Sequence, residues 1–257
     1  EMNMFQHLFY AIIFLSFSAT TLAQTQIGQE IIGQTPNGLL GVPTDMPDAN
    51  TVAVGAPYDG SGNAQVFVWY GGMWVQKGED IEGTWPSSNF AAGLDMADAN
   101  TIAISGKYSS GPLDDYSFVR IFDWIGNVWV QRGSDIVSEA AFDAGNEVSM
   151  PGPNTVAIGA WLNDQNGNSS GHVRVFEWNG SSWIQKGIDI DGDAAYHNLG
   201  FSVSMPDPNI LAVGATGFNT SSGLTRIFSW NGFAWVQKGL DLVGEASNDN
   251  AGWSVSM

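Results

Sequence analysis

An all-β fold, a β-propeller of four-stranded antiparallel blades, is what this chain of 257 residues predicts. Three observations predict it. Met46, Met96, Met150, Met205 and Met257 mark similar stretches at spacings of 50, 54, 55 and 52 residues, and a fixed period in that range signals a propeller or a solenoid. Each period carries two runs of β-formers around a short turn, as in HVRVFEWNGSSWIQKGIDI from His172, AQVFVWYGGMWVQKGEDI from Ala64, SFVRIFDWIGNVWVQRGSDI from Ser117 and LTRIFSWNGFAWVQKGLDL from Leu224. Asn-Gly between two such runs is a hairpin signal, because the tight turn needs positive φ. Lastly, the hairpin runs are apolar on both faces. Pairing Trp69 with Trp74 sets Phe67, Trp69 and Trp74 on one side and Val66, Val68 and Val75 on the other. A sheet wetted on one side alternates apolar with polar, whereas a blade is packed between two neighbours.

In chain order, residues 1–23 stand apart. Leu8 to Phe17, LFYAIIFLSF, is an apolar core of signal-peptide length, and Thr21-Leu22-Ala23 offers small residues for cleavage before Gln24. Ten apolar residues are too few to span a bilayer, although the segment before them, EMNMFQH, lacks the usual cation. The chain that follows is read as secreted or cell-surface. Residues 24–32 resemble a fourth strand, Gly28-Gln-Glu30-Ile31 matching Gly78-Glu-Asp80-Ile81. Blades follow at about 41–81, 91–136, 145–190 and 200–242, and 252–257 reads as a further first strand. These boundaries suggest a piece of a larger propeller, with open blade edges able to self-associate.

Within the third blade the expected strands are Gly145 to Met150, Thr155 to Ala160, Val173 to Trp178 and Trp183 to Ile190. The Trp pairs (69/74, 124/129, 178/183, 230/235) use eight of eleven tryptophans. Their recurrence beside every hairpin marks them as packing rather than sugar platforms; aromatic cross-strand pairs contribute about 0.5–1 kcal/mol beyond burial. Lys77, Arg132, Lys186 and Lys238 share one repeat position, Arg120, Arg174 and Arg226 another, and Asp80, Asp135, Asp189 and Asp241 a third. Such periodic charges read as structural ion pairs or backbone caps.

Composition narrows the function. A formal charge of −18 with 8 Lys+Arg argues against nucleic acid, and the absence of cysteine excludes disulfide and thiolate chemistry. No segment is long and apolar enough for a transmembrane helix.

The residues Gly200-Phe201 with Val213-Gly214-Ala215, Gly252-Trp253, Gly55-Ala56-Pro57 closing TVAVGAP, and Thr155-Val-Ala-Ile-Gly-Ala160 resemble the FG-GAP repeats of integrin α-subunit propellers and of secreted Bacteroidetes proteins. The resemblance covers about 24–257 and implies a propeller used in adhesion or binding. It departs from the family at the calcium loop. Here that connection shrinks to Pro47–Asn50, Ala97–Asn100, Pro151–Asn154 and Pro206–Asn209, which read as Pro/Asp/Asn turns.

The longer connections, 58–63, 107–116, 161–171 and 217–222 together with 82–90, 137–144 and 191–199, would share one rim of a propeller. Function on rigid scaffolds gathers in such loops. Candidate binding residues there are Tyr58, Asp59, Trp85, Tyr108, Asp114, Asp115, Trp161, Asp164, Asp191, Asp193, Tyr196 and His197. No cofactor is expected. Ca2+ is the one ion suggested, by Asp189, Asp191 and Asp193 and by Asp164, Asn166 and Asn168, but both sets lack the acidic closure of a calcium loop. Gly167-Asn-Ser169-Ser-Gly171 matches G-x-S-x-G without the helix a nucleophile elbow requires. With only His172 and His197 after the leader, no multi-histidine centre or catalytic triad is expected. The expected function is recognition of an extracellular protein or glycan without catalysis. The alternatives are a carbohydrate-active hydrolase or lyase using rim carboxylates, and a structural spacer.

Overall fold

The computed structural model describes residues 26–108, 115–141, 143 and 147–257. The leader at 1–23 and Asp114 lie outside these residues. Among the described residues twenty strands form four antiparallel sheets, one per sequence repeat. Sheet 1 holds β1 (Thr44–Asp48), β2 (Thr51–Ala56), β3 (Asn63–Tyr70), β4 (Met73–Gln76) and β5 (Ile81–Glu82). Sheet 2 holds β6 (Leu94–Asp98), β7 (Thr101–Lys107), β8 (Tyr116–Ile125), β9 (Val128–Gln131) and β10 (Ile136–Ala141). Sheet 3 holds β11 (Glu147–Gly152), β12 (Thr155–Ala160), β13 (His172–Trp178), β14 (Trp183–Gln185) and β15 (Ile190–Asp191). Sheet 4 holds β16 (Leu199–Asp207), β17 (Ile210–Ala215), β18 (Leu224–Trp230), β19 (Trp235–Gln237) and β20 (Leu242–Val243). The one helical stretch among the described residues, Phe218–Ser221, is a single turn with Asn219 and Thr220 at positive φ.

Two expectations need correction. The fourth strand is not continuous: β4 and β5 both pair with β3, and the same split recurs in the other sheets. It breaks because Gly78, Gly133, Gly187 and Gly239 adopt positive φ in mid-run, which interrupts the pleat. The hairpin after Trp178 does turn over Asn179–Ser182 as expected, but of the Asn-Gly pair only Gly180 has positive φ. Asn179 caps a four-residue loop, its Oδ1 accepting from the N–H groups of Ser181 and Ser182 at 2.9 Å each, and Asn231 repeats this in sheet 4. True two-residue turns occur at Gly71-Gly72 and Gly126-Asn127, where both residues have positive φ. All four Trp pairs lie in register as the spacing predicts.

The core is divided among the faces between sheets. Phe90, Ile102, Ile104 and Phe118 join Val66 and Ala53 between sheets 1 and 2, Val119 and Ile121 meet Val148 and Val156 between sheets 2 and 3, and Val173 and Val175 meet Leu199 and Val213 between sheets 3 and 4. The third strands β8 and β13 are therefore buried on both faces over most of their length, whereas the outer strands β9 and β14, expected to be packed on both sides, leave Val128, Val130 and Ile184 exposed on one. The basic positions fasten one sheet to the next. Lys77 donates to Asn100 Oδ1 at 2.8 Å and to Ala99 O, Arg132 to Pro153 O at 2.6 Å, and Lys186 to Pro208 O at 2.7 Å. Each also lies over the Trp pair of the following sheet, Lys77 being 5.2 and 5.3 Å from the Trp124 and Trp129 rings. The Trp129, Trp183 and Trp235 indole N–H groups donate back to Lys77 O, Arg132 O and Lys186 O at 2.9–3.1 Å. Trp pairs and cations are thus one repeated clasp.

A second repeated bond explains the methionine period. The strands β1, β6, β11 and β16 lie side by side. The N–H of Met96 donates to Asp45 Oδ2 at 2.9 Å, Met150 to Asp95 Oδ2 at 2.5 Å, Met205 to Ser149 Oγ at 3.0 Å and Met257 to Ser204 Oγ at 3.1 Å. Burial pushes the Asp95 carboxyl up to about 7, against the hydrogen bond from Met150. Its proton is held more tightly folded than unfolded, so the stability Asp95 confers is full below its ordinary value of 3.8 and fades as pH rises through about 7. Asp95→Asn keeps the acceptor and removes the charge. We expect it to be more stable than the parent at pH 8 by about 2 kcal/mol, and to flatten the decline between pH 4 and 7, as read from urea melts at each pH. An unchanged profile would exclude Asp95 as its source.

Candidate functional site

The long connections lie along one edge of the sheet series and bond to one another. Tyr58 N–H donates to Gly38 O at 3.4 Å, Phe90 N–H to Ser61 O at 3.3 Å, and Lys107 N–H to Ser88 O at 2.8 Å. Farther along, Asn163 Nδ2 donates to Asp143 Oδ2 at 3.2 Å, Tyr196 N–H to Asn168 O at 2.7 Å, Gly217 N–H to His197 O at 3.1 Å and Asn250 N–H to Ser221 O at 2.9 Å. Parallel bridges at Gly171–Leu199 and Gly223–Ala251 tie two of these rim segments to the start of the following repeat. Glycine is required at these crossings. A Cβ on Gly171 or Gly223, both at positive φ, would strike the backbone of Leu199 or Ala251. The opposite edge is built of short turns in which Asp48, Asp98 and Asp207 each accept from the N–H two residues on at 2.7–2.8 Å. These are the Asp/Asn turns expected in place of a calcium loop.

The candidate residues divide by exposure. Tyr58 and Tyr196 stand out at 59% and 63% exposed, and Asp164 and Asp193 are also at the surface. Tyr108 is buried, its hydroxyl donating to Asp135 at 2.7 Å and its ring 4.9 Å from the half-buried Trp85. Trp161 packs on Phe201 at 5.6 Å, and His197 meets Phe218 edge-on at 5.1 Å. Asp193 binds Arg226 at 2.5 Å, and Asp115 lies 3.9 Å from Lys107. Asp59 closes its own turn by accepting from Gly62 N–H at 2.8 Å. Of the calcium candidates, Asp164 Oδ1 accepts from Ser169 N–H at 2.7 Å, Asn168 Oδ1 from Ser169 Oγ at 3.1 Å, and Asn166 Nδ2 reaches Gly192 O at 3.2 Å. Their side chains are thus engaged in holding the loop. Gly167–Gly171 runs into β13 rather than into a helix, as its G-x-S-x-G pattern lacks the context for an elbow.

No family model matches the chain, and no curated protein matches it. It is similar in fold to the crystal structure of a hypothetical selenium-binding protein from Sulfolobus tokodaii, with a TM-score of 0.53 at 9% identity. That similarity covers 79% of this chain and spans about half (55%) of the other. At such identity the likeness concerns architecture alone. Among the described residues no helix is long and apolar enough to cross a membrane.

One grouping was not foreseen. Glu139 on β10, His172 opening β13 and Asp189 between β14 and β15 bring their ligand-type atoms within 4.8 Å of one another. Asp191, in register opposite His172, adjoins them. The sequence marks Asp189 as a periodic acid and, with Asp191 and Asp193, as a calcium candidate, and it gives no sign of Glu139. The one sequence signal is His172 itself, which stands where the other repeats carry Asn63, Phe118 and Leu224.

Proposed function

We propose that this chain is a secreted or cell-surface β-propeller of the FG-GAP type that binds an extracellular protein or glycan through its loop rim, without catalysis. The observation that carries the reading is the rim itself. Successive loops are bonded together into one continuous strip, which presents Tyr58, Tyr196 and Asp193 to solvent while the opposite edge is closed by short capped turns. Exposed tyrosines on a rigid frame suit recognition, because they offer large amphipathic contact area at small entropic cost. The FG-GAP resemblance supports the same reading through the glycines of β2, β12 and β17. Gly55, Gly159 and Gly214 lie hard against Ala91, Gly200 and Gly252 of the next repeat, where a side chain would collide.

Glycan-array and extracellular-protein-array binding test it. The double variant Tyr58→Ala/Tyr196→Ala is expected to weaken binding at least about tenfold with an unchanged melting curve. Cleavage of an offered polysaccharide, abolished by Asp193→Asn, would overturn it in favour of an enzyme; no binding to either array would favour a spacer.

A further inference from the structure

Sheet 3 breaks the pattern of its neighbours at one place, between β10 of sheet 2 and β13 of its own. In sheets 2 and 4 the third-strand arginine holds the aspartate of its own fourth strand. Arg120 binds Asp135 at 2.9 Å through two nitrogens, and Arg226 binds Asp241 at 3.0 Å in the same way; Gln65 does this for Asp80. In sheet 3 the equivalent Arg174 turns away, donating to Val137 O at 2.9 Å and lying 3.7 Å from Glu139 of the neighbouring sheet. Asp189 keeps only the amide of Gln185 on Oδ1, at 2.6 Å, and its Oδ2 faces His172 Nδ1 across 3.7 Å.

That gap is too long for a hydrogen bond, and it leaves His172 in an unusual state. The residue is 1% exposed and its Nδ1 has no hydrogen-bond partner. Among the described residues four buried side-chain polar atoms lack a partner, and three belong to residues on this one face of sheet 3: His172 Nδ1, Arg174 Nε and Asp191 Oδ1. A buried polar group left unpaired costs about 1–3 kcal/mol, so three on one face call for a partner. Glu139, Asp189 and Asp191 carry three negative charges when ionised, and Arg174 returns one, so the balance suits a dication.

We propose that Glu139, His172 Nδ1 and Asp189 form a site for a divalent transition-metal ion of the zinc class, with Asp191 beside it, that ties sheet 2 to sheet 3. One imidazole nitrogen with two carboxylates is a ligand set for such ions, whereas calcium and magnesium take oxygen throughout. Glu139, with its side chain 42% exposed, is the open side through which the ion enters and water completes the coordination. The site belongs to the repeat frame rather than to the recognition strip, so it stands or falls independently of the binding function.

The test uses the tag-free chain stripped with a chelator and titrated calorimetrically with Zn2+. One equivalent per chain is expected to bind and to raise the melting temperature. Glu139→Gln, at an exposed position that leaves folding intact, is expected to weaken binding at least about tenfold, and Asp189→Asn likewise. Co2+ in place of Zn2+ should give a visible absorption band that His172→Ala removes. Absence of saturable uptake, uptake unchanged in both carboxylate variants, or displacement of Zn2+ by an equal concentration of Ca2+ would each overturn the assignment.

Discussion

Gly133→Ala is expected to lower the unfolding free energy by about 3 kcal/mol, whereas Gly239→Ala lowers it by about 1. Both glycines break the fourth strand at positive φ, 75° and 83° respectively, so both substitutions incur the left-handed backbone penalty. They differ in what the methyl group meets. On Gly133 it would fall 2.7 Å from Cζ3 of Trp178 in the next sheet, while on Gly239 it meets nothing within 4 Å. Gly78 repeats the first situation against Trp124 at 2.5 Å and Gly187 against Trp230 at 2.8 Å. Trp178 cannot retreat freely, because Arg132 lies 5.9 Å from its ring and Trp183 packs on it at 5.4 Å. The difference between the two variants in urea denaturation isolates the contact between sheets from the backbone term. Equal losses would mean that the clasp yields without cost, and the stacking account of the glycine would be wrong.

The same glycine shows what the sequence could and could not disclose. Gly28 was aligned with Gly78 from a four-residue match alone, and it does occupy the corresponding place: a Cβ there would lie 2.5 Å from Trp69, and Gln29 takes the Trp74 N–H at 3.0 Å. Repetition made this legible, since a residue that recurs at one position in every unit must meet a recurring neighbour. The Trp pairs, the cations and the methionines were visible for the same reason. Periodicity does not reveal the direction a flexible side chain takes. Arg174 occupies the position of Arg120 and Arg226, yet it crosses to sheet 2 where they fold back on their own strand. The cluster it leaves behind is an exception to the repeat, which alignment can only mark as a stray histidine. The inward turn of Tyr108 is hidden for a related reason: its loop is long, but its ring packs onto Phe118 at 4.8 Å.

Arg120→Ala is expected to be the most damaging single change, at about 3–5 kcal/mol, because it strands a partly buried carboxylate. The Arg120 and Asp135 side chains are 9% and 17% exposed, and the guanidinium also donates to Thr84 at 2.9 Å and lies 4.4 Å from the Phe118 ring. Burial alone would push the Asp135 carboxyl up; hydrogen bonds from Arg120, Tyr108 and Gln131 outweigh it and hold the group below its usual range. A depressed carboxyl stabilises the fold above its unfolded value and loses that contribution as pH falls through the folded one. The parent should therefore weaken below about pH 4, while Arg120→Ala, whose Asp135 takes up a proton more readily, should not. The gap between the two, measured by urea melts from pH 7 down to pH 3, is expected to narrow as the medium becomes acid. Asp135→Asn in the Arg120→Ala background should recover part of the loss at neutral pH, since it removes the stranded charge while keeping an acceptor for Tyr108. A gap independent of pH, with no recovery in the double variant, would assign the loss to packing of the guanidinium on Phe118 rather than to charge.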